Sequence, residues 1–360
     1  MNPRHPYVGL PDRQFWKHEP GIADPAAFDP VSDVPFHITP EDKVVTAGSC
    51  FAQHVARRLS NSGFNHLITE PAPAFVDPDL AERFNYGMFS ARYGNIYTTR
   101  QLRQLVDRAY GRFRPLAAFW PKDRTERVID PFRPQIQPEG FVSEAELLAD
   151  RESHFAAVRS AFENMDVFVF TLGLTECWAD VRDGAVFPLA PGVAGGRYRP
   201  GEVRFLNFDL EETLADLLAA LAAIRAVNPT IRFILTVSPV PLNATMEPRH
   251  VYVSSAWSKS VLRLAAERVT RLVPGSVYFP SYEIITAPHV RGRYFGEDCR
   301  EVLPDGVDHV MRLFFRHFAG EGRAGGEASD GSAATQTREH VADLENCLRI
   351  LCDEEAIANR

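Results

Sequence analysis

Two uninterrupted apolar runs, "MDVFVFTLG" (165–173) and "IRFILTVSPV" (231–240), set the architecture of this chain. Neither alternates polar with apolar residues, so neither suits a strand with one face in water. Each suits a strand covered on both faces. Between them "LEETLADLLAALAAIRAVNP" (210–229) reads as a helix closed by Asn228-Pro229. A shorter run, Val44–Ala47, leads into a helix from Phe51 to Leu59 that carries Phe51, Val55 and Leu59 on one face. "SSAWSKSVLRLAAERVTRLV" reads as helix, "SVYFPSYEII" as strand, and "VDHVMRLFFRHF" as the opening of a further helix. Strands alternating with helices of this length predict an α/β class, three-layer α/β/α with a parallel central sheet.

Around this body (41–320) the chain changes character. Residues 1–40 are rich in Pro and aromatic residues without periodicity, as an extended arm would be. Residues 60–150 form an irregular insertion with a helical piece in "TTRQLRQLVDRAYGRF", where Leu102, Leu105 and Val106 share a face. The Gly-, Ala- and Ser-rich stretch 321–337 buries too little apolar surface to order itself and reads as a flexible linker. Beyond it, 338–360 reads as an amphipathic helix with Val341, Leu344, Leu348 and Leu351 on one side, suited to docking on a protein partner or on its own body.

A net charge of -8 argues against a general nucleic-acid binder, which needs Lys and Arg to meet phosphates. "MNPRHPYVGLPDRQFWKHEP" lacks the apolar stretch of a signal peptide, and no run of eighteen apolar residues predicts a membrane span. Cys50, Cys177, Cys299, Cys347 and Cys352 are scattered and odd in number, as reduced thiols of a cytoplasmic protein would be. No metal-ligand spacing, P-loop or dinucleotide fingerprint occurs, so neither a metal nor a cofactor is expected.

Ligands of parallel sheets bind at the carboxyl ends of the strands. Three such ends carry chemistry-bearing residues: Gly48-Ser49-Cys50, "TLGLTECW" (171–178) and "LPDGVDHV" (303–310). Ser49 needs a base to become a nucleophile, and His309 is the candidate, oriented by Asp308 or Asp305. Amides at the start of the Phe51 helix favour a developing oxyanion. Each feature also has an ordinary explanation: Ser49 as a helix cap, His309-Asp308 as a surface pair, Glu176 as a first-turn helix acid. Cys50 competes for the nucleophile's part, because helix N-termini lower thiol pKa values.

The stretch "TAGSCFAQHVARRL" resembles the motif of the GSCFA family, after Gly48, Ser49, Cys50, Phe51 and Ala52. That family is similar to the SGNH/GDSL hydrolases, which implies a flavodoxin-like fold and a serine esterase, deacylase or acyltransferase. "FNYGMFSARYGNIYTTRQL" and "TVSPVPL" look like further family segments. The resemblance implies Ser49 as nucleophile and an oxyanion hole from the Ser49 N–H, Gly94 with the adjacent Asn95, and Gly173 with Thr175. Thr175 stands where the wider superfamily has Asn. The residue three before His309 is Gly306 rather than the usual Asp, which leaves the acid open between Asp308 and Asp305. A small-molecule or carbohydrate ester is the implied substrate, with Tyr93, Tyr97 and Trp178 as aromatic candidates to stack on a sugar. The alternative is a non-catalytic binding or scaffold protein.

Overall fold

The computed structural model describes residues 5–32, 34–122, 125–319 and 353–358. The apolar runs become the middle of a four-stranded parallel sheet. Its strands β1 (Val44–Gly48), β4 (Val167–Leu172), β8 (Arg232–Val237) and β9 (Ser276–Tyr278) lie in that order. All six residues of β4 are buried, and alternate residues serve opposite faces. Val167 and Val169 pack with Val44 and Ile234 against α1 (Phe51–Asn61) and α8 (Pro304–Phe318), through Phe51, Val55, Leu59, Val310 and Phe314. Phe168 and Phe170 pack with Val45, Phe233 and Leu235 on the other side. There they meet α3 (Thr99–Ala109), α4 (Glu144–Asn164), α5 (Leu210–Val227) and α6 (Val251–Leu272). The architecture is three-layer α/β/α.

Three local expectations change. The run "SVYFPSYEII" is a strand only as far as Tyr278; after Pro280, which has no N–H for a ladder, Ser281–Thr286 forms α7. Glu176 does not open a helix but starts β5 (Glu176–Asp180), which pairs antiparallel with β6 (Val186–Phe187) and β7 (Val203–Asn207). The insertion holds α2 (Pro78–Arg83), α3 and the pair β2 (Trp120–Pro121) and β3 (Val128–Ile129), and it runs into α4, whose first turn is capped by the Ser143 side chain accepting from the Glu146 N–H.

A buried ion cluster joins the insertion to α4. Arg133 binds Asp130 at 3.1 Å and Asp150 at 2.6 Å, Arg92 binds Asp150 at 3.2 Å, and His154 Nδ1 lies 2.7 Å from Glu70. The arm runs through four short 3-10 turns and adds the Ile38 N–H to the Phe318 carbonyl at 2.7 Å. The expected linker, and the expected C-terminal helix up to residue 352, lie outside the described residues. Within them, Asp353 and Glu354 precede the short helix Glu355–Ala358.

Candidate active site

The site begins where β1 runs out. Gly48 has φ +136° and stays in register with Thr171, and a Cβ there would stand 2.2 Å from the Thr171 carbonyl oxygen, so only Gly fits. Ser49 follows, 3 % exposed, and Cys50 already has helical dihedrals. The Ser49 Oγ is buried without a hydrogen-bond partner among the described residues. It therefore does not cap α1, and the ordinary explanation of this serine fails.

Gly173 closes one side, since a Cβ on it would lie 2.9 Å from the Ser49 Cβ. The segment Gly94–Tyr97 closes another. The Ile96 N–H donates to the Gly48 carbonyl at 2.7 Å, and the Tyr97 carbonyl accepts from Gly173 and Leu174 at 3.2 and 2.9 Å. Ser49, the Gly94–Tyr97 segment and Gly173 thus lie together at one strand end.

The expected oxyanion donors are mostly spent on the fold. The Ser49 N–H donates to the Thr171 carbonyl at 3.1 Å and the Gly173 N–H to Tyr97. Thr175 donates its N–H to Ser258 Oγ at 3.1 Å and its hydroxyl to Asn207 Oδ1 at 2.8 Å. These amides extend the β1–β4 ladder and tie down the loop after β4, so they do not face an open site. Asn95 differs. Its Oδ1 accepts from Gln53 Nε2 and its Nδ2 donates to a carboxylate oxygen of Asp353, both at 2.9 Å.

The expected relay through His309 is not formed. Its Nε2 lies 2.9 Å from the Phe28 carbonyl and its Nδ1 2.7 Å from the Tyr294 hydroxyl. A carbonyl only accepts, so Nε2 carries the proton and Nδ1 accepts from Tyr294. Burial first, then the Arg312 charge, lower the His309 pKa to about 4. Neutral and doubly bonded, His309 pins the arm to α8. Asp308 pairs with Arg58, and Asp305 is exposed on the first turn of α8; neither bonds the imidazole. These aspartates face outward because Val307 and Val310, not they, fill the apolar face of the helix. Tyr93 is buried with its hydroxyl on the Thr46 carbonyl, so it offers no face to a sugar. Half-buried Trp178 packs edge-on against Tyr198 in the second sheet.

Other residues complete the site. Lys259 on α6 is 3 % exposed and donates to the Gly173 carbonyl at 2.8 Å. Burial lowers its pKa to about 8, against the charges of Glu354 and the Cys50 thiol, which raise it. The Tyr97 hydroxyl donates to Asp353 at 3.2 Å, Arg300 pairs with Glu354 at 3.1 Å, and the Asn243 side-chain amide donates to the Glu354 carbonyl at 2.7 Å. A readable trace of Lys259 existed in "SSAWSKS": Ser254, Ser255, Ser258 and Lys259 recur at helical spacing and all are buried. A polar stripe on a covered helix face marks polar company.

Elsewhere, a cavity of about 860 Å³ lies between the arm and residues 283–289, with His289 stacked on Phe28 and beside Trp16. It shares no lining residue with the Ser49 cluster. Among the described residues no group of His, Cys, Asp or Glu is arranged to hold a metal ion, and no helix is long and apolar enough to cross a membrane.

The fold and this strand-end serine define an α/β/α protein with a buried hydroxyl, unbonded among the described residues, at the carboxyl edge of its first strand. The chain belongs to the GSCFA family, whose model matches residues 43–314. Comparison with the curated proteins gives no match.

Proposed function

We propose that this protein performs acyl-group chemistry at Ser49, as an SGNH-like serine esterase or deacylase acting on a small-molecule or carbohydrate ester, or as an acyltransferase at the same site. One observation carries the reading: the Ser49 Oγ is buried at the end of β1 and, among the described residues, caps no helix and has no hydrogen-bond partner. A buried hydroxyl without a partner costs about 1–3 kcal/mol, a cost that a purely structural serine would have no reason to retain.

With His309 committed to Phe28 and Tyr294, the base we assign is Lys259, which donates to the carbonyl of Gly173 on the Ser49 wall. A pKa of about 8 keeps a useful fraction of its amine neutral near pH 7. In this scheme the Ser49 proton passes to Lys259, directly or through a bound hydroxyl, as Oγ bonds the acyl carbon. The ester C–O bond breaks, and the departing oxygen takes the proton back from the ammonium. Water or a second hydroxyl then releases the acyl group by the same steps in reverse. The Asn95 amide, which donates to Asp353, is the donor we assign to the developing oxyanion.

A second reading, a non-catalytic carboxylate-binding protein, is favoured by the same Asp353 contact and by the missing Ser49–His309 bond. A fluorophosphonate probe on wild type, Ser49→Ala, Cys50→Ala, Lys259→Met and His309→Gln separates them. Labelling lost in Ser49→Ala and Lys259→Met, and kept in Cys50→Ala and His309→Gln, is the expected result. A folded wild type that never labels sinks the acyl reading, and loss in His309→Gln alone returns the base to His309.

A further inference from the structure

The side chains around Asp353 and Glu354 form a matched set of donors and positive charges. Asn95 and Tyr97 are 2 % and 3 % exposed, and both donate to the Asp353 carboxylate. The Tyr97 hydroxyl also accepts the Asp353 N–H at 3.1 Å, so this residue is held by side chain and backbone together. Glu354 meets Arg300, the Asn243 N–H at 3.4 Å, and the field of buried Lys259. Two carboxylates almost wholly withdrawn from water are thus received by the Asn95 side-chain amide, the Tyr97 phenol, the Arg300 guanidinium and the Asn243 backbone N–H, within the field of the Lys259 ammonium. Burial of unpaired charge costs several kcal/mol, so Lys259 without an anion nearby would be strongly disfavoured. The pocket offers donors to carboxyl oxygens, and burial raises the pKa of Asp353 to about 6 and that of Glu354 as well.

We propose that this cluster beside the Ser49 strand end is a two-carboxylate receptor whose resident ligand is the chain's own Asp353–Glu354, which competes in cis with acidic ligands from outside. The receptor spans the body: Asn95 and Tyr97 from the segment beside Ser49, Asn243 after β8, Lys259 from α6, and Arg300 before α8. Asn95 is held by Gln53 on α1, and its neighbour Ile96 donates to the carbonyl of Gly48, the residue before Ser49. A ligand that displaces the segment must bring carboxylates of its own, as an acidic peptide or a dicarboxylate does. The inference stands on these contacts and does not depend on acyl chemistry at Ser49.

The test is a binding measurement on the full chain. A fluorescein-labelled peptide of residues 351–360 is titrated, up to millimolar concentration, against wild type and against Asp353→Asn/Glu354→Gln. A tethered ligand works at millimolar effective concentration, so the wild-type site is filled and the variant is open. At least tenfold tighter peptide binding by the variant is expected. Adding Arg300→Gln to that variant should weaken it at least tenfold, and succinate should displace the peptide. Equal binding to wild type and variant, no binding to the variant, or equal binding of a peptide with Asn and Gln at 353 and 354 overturns the proposal. The readout is binding, so a chain that never labels at Ser49 still answers the question.

Discussion

Ser49 and Gly173 share one wall: a single methyl group on Gly173 would stand 2.9 Å from the Ser49 Cβ. That distance lies well inside van der Waals contact. The same methyl would meet Tyr97 backbone atoms at 3.1 and 3.3 Å. Gly173→Ala must therefore move either β1 or the Gly94–Tyr97 segment. A loss of about 1–3 kcal/mol of stability is expected, the usual cost of overpacking. Reaction of Ser49 with a fluorophosphonate should fall with it. Gly48→Ala should cost more, because it adds a φ of +136° to a 2.2 Å backbone clash. Urea unfolding of both variants checks the order, and unchanged midpoints would contradict this description of the wall.

Acid should destabilise the protein between pH 6.5 and 4 through its buried imidazoles. His66, His154 and His309 each have their pKa lowered to about 4, with burial the largest cause in all three. In the unfolded chain they take up protons near 6.5. The unfolded state then binds more protons than the native state throughout that window, so stability is full above pH 6.5 and declines as the pH drops toward 4. Each imidazole contributes a slope of up to about 1.4 kcal/mol per pH unit. Denaturant midpoints at pH 7.5, 5.5 and 4.5 measure the decline, and His309→Phe should remove one proton's share of it. A flat profile over this range would count against neutral, buried histidines.

The layers of this fold were readable because burial on both faces of a strand leaves a continuous apolar run, and β1, β4 and β8 each carry one. The antiparallel sheet around Trp178 was not, since "ECWAD" is short and its alternation of half-buried Glu176 and Trp178 with buried Cys177 and Ala179 is too brief to stand out. At the site, Ser49 and Gly173 were legible as residues that follow apolar strands, whereas Gly94 and Asn95 came only from the family resemblance. The role given to His309 was not sound, because adjacency to Asp308 in sequence says nothing about direction on a helix. Residues 308 and 309 point about 100° apart, one to Arg58 at the surface and one to Phe28 inside. Nothing local to Asp353 could reveal that it returns to Asn95 across 258 positions.

The buried cluster of the insertion should behave as a unit. Asp130 is fully buried beneath Arg133 and Arg151, whose charges, with that of Arg108, overcome the effect of burial and hold its carboxyl below the usual range. Asp130→Ala leaves those guanidinium groups under-compensated and should cost about 3–5 kcal/mol, as removal of one partner from a buried pair does. The loss should exceed that of Glu139→Ala, whose pair with Arg83 is more than half exposed and contributes at most about 1 kcal/mol. Thermal unfolding of the two variants gives the comparison. Equal midpoints would mean that the insertion draws its stability from elsewhere.

Lys259 offers the sharpest separation of structure from chemistry. Its ammonium donates to the Gly173 carbonyl at 2.8 Å, and its stem is buried on α6, so Lys259→Met keeps the volume and removes the charge. Removal of one charge from a buried pair is costly, but this exchange leaves Glu354 paired with Arg300. It leaves the Gly173 carbonyl and Glu354 with one partner fewer, so a stability change within about 2 kcal/mol of wild type is expected. If Lys259 takes the Ser49 proton, wild-type labelling should rise with pH through about 8, as its amine loses charge. The variant should then label at least a hundredfold more slowly and without that rise, a reasonable size for losing a positioned base. A stable Lys259→Met that labels at the wild-type rate with the same pH profile removes this lysine from the mechanism and leaves it as the counter-charge of Glu354.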